Sequence, residues 1–405
     1  MHSRQAWPNS LHVLRHLSLG IALLAAFASC RAQQPGAATP GVELAVMRTV
    51  DEADGTFTRR PMVVGPDGLL YGAAEGGGAH AMGTVFRLSA DGQFEVVHDF
   101  SGPDGRRPQG LTVGPDGGLY GVASEGGEFG DGTAFRIDPT GKFTPLHSFL
   151  ATSSGAVPVS TLLLASDGLF YGITFIGGKH QAGTVYRMKP NGRVETLHHF
   201  RPGGADGHRP EGRLVEGPDG LIYGTTLYGG KHRFGTVYKM HRNGRLRVLL
   251  SFFHDARYGT KPANGLTVGP GGRLYGVIRG ERFQHRRGLI YRIDGHGHFE
   301  IVHDFETQVD IDGKWPHCEL LLGRDGALYG TTTRGGSGSG AGGGTVFRLT
   351  ADGELTTLHS FSYHDDQGAR PWAGLVELAD GEFFGATDSA GGLNRGTLYR
   401  LRVPR

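Results

Sequence analysis

Asp219-Gly220-Leu221-Ile222-Tyr223-Gly224-Thr225-Thr226 decides the fold of this chain, because the line recurs seven times with small changes. Tyr71, Tyr120, Tyr171, Tyr223, Tyr275 and Tyr329 each precede a glycine, and Phe384-Gly385 is the seventh copy. The steps between them are 49, 51, 52, 52, 54 and 55 residues. A period near fifty marks a repeat protein, in which each repeat buries its apolar face only against its neighbours.

Working outward from one Tyr-Gly shows what the unit is. Around Tyr120, Gly110 to Val113 reads as a short strand and Pro115-Asp116-Gly117-Gly118 turns it back. Leu119 to Ala123 is a second strand, and the loop Ser124 to Asp131 carries a diglycine. Gly132 to Ile137 alternates cleanly as a third strand, and Phe143 to Phe149 follows Thr140-Gly141 as the fourth. Asp-Gly and Asn-Gly recur at the two hairpins of most repeats and tolerate the positive φ that tight turns require. Four antiparallel strands with tight turns make one propeller blade. The sequence therefore predicts an all-β, seven-bladed β-propeller.

The strand count predicts how the ring closes. Six fourth strands end at Phe100, Phe149, Phe200, Phe252, Phe305 and Phe361, whereas the seventh third strand, 396–401, has no partner after it. An orphan strand, Leu44 to Val50, stands at the front. It is expected to pair antiparallel with 396–402, with Met47 near Tyr399, and so to remove an exposed edge.

Composition agrees with many small sheets. Glycine fills 71 of 405 positions, roughly two and a half times average usage. Formal charge is +2, and no basic run with interleaved aromatics is present, so nucleic acid is not an expected partner. Residues 1–30 read as a secretory signal: Arg4 and Arg15 precede an apolar run from Leu17 to Ala28, too short to anchor in a bilayer. Phe27-Ala28-Ser29-Cys30 has the form of a lipobox with phenylalanine for leucine, which makes Cys30 the expected lipidation site; cleavage after Ala28 or Ala32 is the alternative. A flexible tether spans 31–42, and the propeller spans 43–402. The chain is expected to be exported, as a periplasmic or outer-membrane lipoprotein or a secreted protein. Any membrane contact would come through the N-terminal lipid, and the protein is expected to be monomeric. Cys318, the other cysteine, reads as a buried free thiol.

The shared line runs Gly-Thr-Val-Phe-Arg-Leu, Asp-Gly, Leu-His-Ser-Phe, Asp-Gly-x-x-Pro, Asp-Gly-x-Leu-Tyr-Gly-Thr-Thr, Gly-Gly, best kept in 344–361 and 219–237. It resembles the GloVer tandem repeat of exported bacterial proteins, whose members carry differing anchors. The resemblance covers about residues 43–402. It implies export and a repeat scaffold, and it supplies no catalytic residues.

Chemistry-bearing residues fall into two sets. His98, His147, His198, His303 and His359 open His-x-Phe on fourth strands, and basic residues such as Arg87 and Arg136 sit on third strands. Spread over the blades, they cannot converge on one site, so they read as polar ladders between blades, with the histidines near those arginines. The second set lies where the repeat breaks. Blade five replaces its loop glycines with Arg279, Arg282, Phe283, His285, Arg286 and Arg287, and equivalent loops carry Lys179, His180, Lys231, His232 and Arg334. Connections between blades share that face and add Trp315 and Trp372. Such a surface suits an acidic polysaccharide or an acidic protein, held by charge and ring stacking.

No cofactor or metal motif is legible. Gly338 to Gly343 matches G-x-G-x-x-G between two strands, without the helix N-terminus that cradles phosphate. Asp304, Glu306, Asp310 and Asp312 cluster like a calcium loop but miss EF-hand spacing. The expected function is that of an exported, non-enzymatic binding scaffold. The alternative is a lyase or hydrolase acting on a glycan or ester at the channel mouth, and fold alone does not choose between them.

Overall fold

The structure is a computed structural model and describes residues 40–253, 262–280, 287–306, 311–336 and 342–404. The expected leader, Cys30 and the expected tether up to residue 39 lie outside the described residues. No helix among the described residues is long and apolar enough to cross a membrane. Apart from one short 3-10 turn, Pro270–Gly272, the regular elements among the described residues are strands.

Seven antiparallel sheets form the blades of a propeller. Blade two is representative: Arg106–Val113, Leu119–Glu125, Thr133–Ile137 and Phe143–Ser148 run from inner to outer edge. The seventh blade takes its outer strand from the other end of the chain. Glu43–Thr49 pairs antiparallel with Thr397–Arg402 and closes the ring. The register departs from expectation by one residue: Val46, not Met47, lies opposite Tyr399, because Met47 is the extra residue of a bulge between Val46 and Arg48. The same bulge occurs where Val85 and Phe86 meet His98 and Val96. The closing strand therefore copies the fourth strands of the other blades.

The repeated residues have specific work in this frame. The Tyr71, Tyr171 and Tyr223 hydroxyls donate to Asp67, Asp167 and Asp219 at 2.7–2.8 Å, so each tyrosine ties its strand to the hairpin turn four residues earlier. The glycine after the tyrosine leaves room for a third-strand ring. A Cβ at Gly172 would overlap Tyr186, and one at Gly121 would overlap Phe135. Apolar packing lies between blades. Tyr275, Val277 and Ile290 of blade five pack with Leu328, Phe347 and Leu349 of blade six, and comparable clusters fill the other interfaces.

Adjacent blades are also joined by the Asp-Gly-x-x-Pro turn. The Asp104 carboxylate receives His98 Nε2 from the preceding blade at 2.8 Å, while the Asp104 carbonyl accepts from Thr133 of its own blade. Asp206 does the same with His198 and Thr236, and Asp312 lies 3.2 Å from His303. His98, His198 and His303 are thus inter-blade groups, as expected, but their partners are these acids. The third-strand arginines pair elsewhere, Arg187 with Glu195 at 2.9 Å and Arg348 with Asp325 at 2.7 Å. At the ring closure Arg48 stands where the histidine would be. It grips Asp54 with Nε and Nη2 at 2.8 and 2.7 Å.

Candidate functional site

One face of the propeller is built by the incoming connections and the loops between second and third strands. The two are stitched together: the amides of Gly78, Gly127, Gly178 and Gly230 donate to the carbonyls of Glu52, Gly102, Ala151 and Gly204. Cys318 is buried away from this chemistry, its thiol donating to the Thr331 carbonyl.

The first and second strands and their incoming connections bring three rings of side chains toward the channel mouth on this face. The first occupies the position before the repeat proline: Phe57, Arg107, Val157, Arg209, Trp315 and Arg370 all take φ between 54 and 63°. A non-glycine residue in this left-handed region costs roughly 1–2 kcal/mol. The cost is offset by a bond to the preceding blade, because the amides of Arg107, Val157, Arg209, Trp315 and Arg370 donate to Met82, Asp131, Ala182, Arg287 and Gly343 carbonyls. The second ring follows the proline position and includes Arg59, Gln109, Val159, Glu211, His317 and Trp372, which line one cavity of about 270 Å3. The third ring is four residues past each Tyr-Gly tyrosine or its phenylalanine counterpart: Glu75, Ser124, Phe175, Leu227, Arg279, Thr333 and Asp388.

Within this mouth, His317 stacks on Trp372 with ring centroids 4.0 Å apart. Arg279 Nη1 donates to its Nε2 at 2.8 Å, and the Asn264 side-chain amide lies 2.8 Å from Nδ1. Burial, reinforced by Arg279, pushes the imidazole down to about 3, so it is neutral at ordinary pH. Arg60 crosses from blade one to blade three, its Nη2 2.5 Å from the Val159 carbonyl. Asp388 is buried between Arg59 and Arg370, and burial raises its pKa while the two arginines oppose the rise.

Arginines on aromatic rings recur around the mouth. Arg59 lies over Trp372 and Phe57, Arg370 over Trp372, Arg209 over Phe175 and Tyr228, and Arg334 over Trp315, with centroid distances of 5.1–5.8 Å. No side-chain hydrogen bond from Arg59, Arg209, Arg334 or Arg370 is present among the described residues. A stacked guanidinium is fixed in place while its N–H edge stays available, an arrangement suited to planar oxyanions.

The residues singled out in the sequence divide. Trp372 and Arg279 reach the mouth, and Trp315 and Arg334 stack beside it. Lys179, His180, Lys231 and His232 lie on the same face but over the outer strands of their own blades: the Lys179 amide meets His199, and His232 meets Ser251 and Phe253. Arg287 turns to Glu306 through its amide and guanidinium. Arg282, His285 and Arg286 lie outside the described residues, as does Asp310 of the acidic cluster and part of the 338–343 glycine run. Asp304 and Asp312 are engaged by the Glu306 amide and by His303, and no metal-holding group of three His, Cys, Asp or Glu side chains occurs among the described residues. Arg59, Arg209, His317, Arg370 and Asp388 were missed by the sequence reading. Their signal was available: within an otherwise repeated line, the residues flanking the proline and ending the second strand differ from blade to blade.

Among solved structures, the extracellular domain of a putative hybrid two-component system from B. thetaiotaomicron is similar at TM-score 0.58 and 11% identity, over 88% of this chain and 39% of that one. This chain thus spans well under half of that protein. A putative 6-phosphogluconolactonase from Bacteroides uniformis is similar at TM-score 0.52 and 16% identity, over 74% and 84% of the two chains. The periplasmic gluconolactonase of Pseudomonas aeruginosa matches at TM-score 0.51 and 18% identity, over 89% and 96%. At such identities the likeness is one of fold, shared by lactonase and sensor-domain propellers alike. None of the curated proteins matches the sequence. The Gloeobacter/Verrucomicrobia repeat matches over residues 37–216, 151–310 and 219–405, and the chain belongs to that family.

Proposed function

We propose that the protein is an exported, non-enzymatic binding module of the cell envelope or extracellular space, and that its channel-mouth face holds an acidic polysaccharide. The observation that carries this reading is the set of arginines stacked on Trp372, Phe175, Tyr228 and Trp315 with unfilled N–H edges. Guanidinium groups supply charge and paired donors, and nearby apolar surface such as Val157, Val159 and Phe175 suits the less polar face of a sugar ring. The leader at 1–30, with Cys30 lipidated or lost, supports export; the mass of the mature N-terminus tests it.

The binding test is retention on immobilised polygalacturonate at low salt. Wild type is expected to bind and to elute as salt rises. A triple variant, Arg59→Gln, Arg209→Gln and Arg370→Gln, is expected to flow through while melting like wild type. Equal retention of both would remove the mouth as the site. In that case a variant with Arg282, Arg286 and Arg287 changed to Ser asks whether the blade-five loop binds instead. Retention on polyglutamate but not on polyuronate would make the partner an acidic protein.

The second reading, a lyase or hydrolase on a glycan or ester, draws on Glu211 and His317 facing one cavity. Against it, His317 is held neutral with both ring nitrogens engaged. Turnover of a uronate oligomer or sugar lactone that disappears in Glu211→Gln would establish it.

A further inference from the structure

Two arginines at the mouth share one acid that satisfies neither. Asp388 Oδ2 is 3.9 Å from Arg59 Nη2, and Oδ1 is 3.5 Å from Arg370 Nε, with the Asp388 side chain only 2% exposed. Asp388 Oδ1 has no hydrogen-bond partner among the described residues. What fixes the two guanidinium groups is the Trp372 ring, which both overlie at 5.2 and 5.7 Å. Trp372 is itself fixed by its stack on His317. Both guanidinium groups lie within 4 Å of this one carboxylate, so they converge on the same part of the mouth. Glu75, 3.7 Å from Arg59, is drawn toward Arg107 at 3.2 Å.

We propose that Arg59 and Arg370 clamp one carboxylate of a uronate ligand above Trp372, and that Asp388 is the resident negative charge with which that carboxylate competes. The inference rests on the polysaccharide reading above and assigns its recognition element. A ligand carboxylate makes the direct, paired hydrogen bonds that Asp388, held back in the wall, does not. Its proximity to Asp388 is repulsive, so the buried acid keeps affinity for single anions low. Selectivity then comes from ligands that add sugar contacts to the charge.

The test is calorimetric titration of the mature chain with trigalacturonate at fixed low salt, with the neutral galactose trimer as control. Asp388→Asn keeps the shape and removes the charge, and is expected to bind about tenfold more tightly. Arg59→Gln and Arg370→Gln are each expected to lose about tenfold or more. Asp388→Ser replaces the asparagine variant if its melting temperature falls. Wild-type binding with no gain in either folded Asp388 variant overturns the competition and leaves the polysaccharide reading standing. Equal binding of the neutral trimer overturns the carboxylate clamp. No wild-type binding of trigalacturonate overturns the polysaccharide reading and this inference with it.

Discussion

On the second strands, six blades carry tyrosine before the glycine and the seventh carries Phe384. Four residues further along the same strands stand Glu75, Ser124, Phe175, Leu227, Arg279, Thr333 and Asp388. The first position faces a hairpin turn and the packed interface with a neighbour, so every blade keeps an aromatic ring there. The second lies at the channel-mouth end of the strand, where no contact shared by all blades demands one residue type. Repetition marks the frame, and its failure at a fixed place marks the surface free to be used.

The frame should break in large steps. Removing 43–50 takes away the outer strand of blade seven and the Arg48–Asp54 grip. It is expected to cost more than about 5 kcal/mol and to end cooperative unfolding; a denaturant melt like that of wild type would mean the ring does not depend on its closure.

Acid tests both regions at once, because each holds a histidine strongly displaced by burial. Burial holds His317, at the mouth, at about 3 and His359, in the frame, at about 4. Both lie below the ordinary 6.5, so between these values the unfolded chain takes up protons that the folded one refuses. Stability is therefore full above about pH 6.5 and falls as pH drops, by up to about 1.4 kcal/mol per pH unit for each histidine. Chemical unfolding measured from pH 7.5 to 4.5 should show this slope, and His359→Asn should reduce it. A flat profile would contradict the burial of both rings.

Gly172→Ala drives a Cβ into Tyr186 and is expected to cost about 1–3 kcal/mol. His98→Leu imitates blade four, where Leu250 stands opposite Val237. It should cost about 1–2 kcal/mol, because Asp104 loses a partner, while polygalacturonate retention stays the same. Lost retention at full stability would move His98 from the frame to the site. Smallest of all, Arg209→Gln should change stability by less than about 0.5 kcal/mol and lower retention, the reverse of the His98 pattern.

The frame was the legible part. Turn dipeptides, alternation and a missing fourth strand are local signals, and they carried the reading from strands to blades to closure. The Met47 bulge was not legible, since an extra residue in one strand shows only when its partner's spacing is known. Nor was the partner of the histidines. Arg87 and its equivalents are near on the same sheet, whereas Asp104, six residues after His98, is turned back onto it by the connection between blades, whose path no strand pattern gives. At the mouth, Trp315, Trp372, Arg279 and Arg334 were found as departures in charge or ring content. Arg59, Arg209 and Arg370 were not, because their placement depends on backbone geometry around the proline. A left-handed residue before proline runs against local preference, and it is held there by a carbonyl of another blade.

The closing strand also fixes the order in which the chain can be finished. Glu43–Thr49 leads the propeller, yet its partner Thr397–Arg402 comes about 350 residues later, a loop whose closure costs about 5 kcal/mol of chain entropy. Arg48 and Asp54 are six residues apart, so their pairing is local and can shape the strand while it waits. Blades one to six are complete in themselves and can form as the chain lengthens; the seventh cannot. Refolding should accordingly end in one slow phase. A circular permutant that joins 404 to 41 and opens between blades three and four turns the closure into a hairpin, and there the slow phase should vanish from this step and reappear at the new gap.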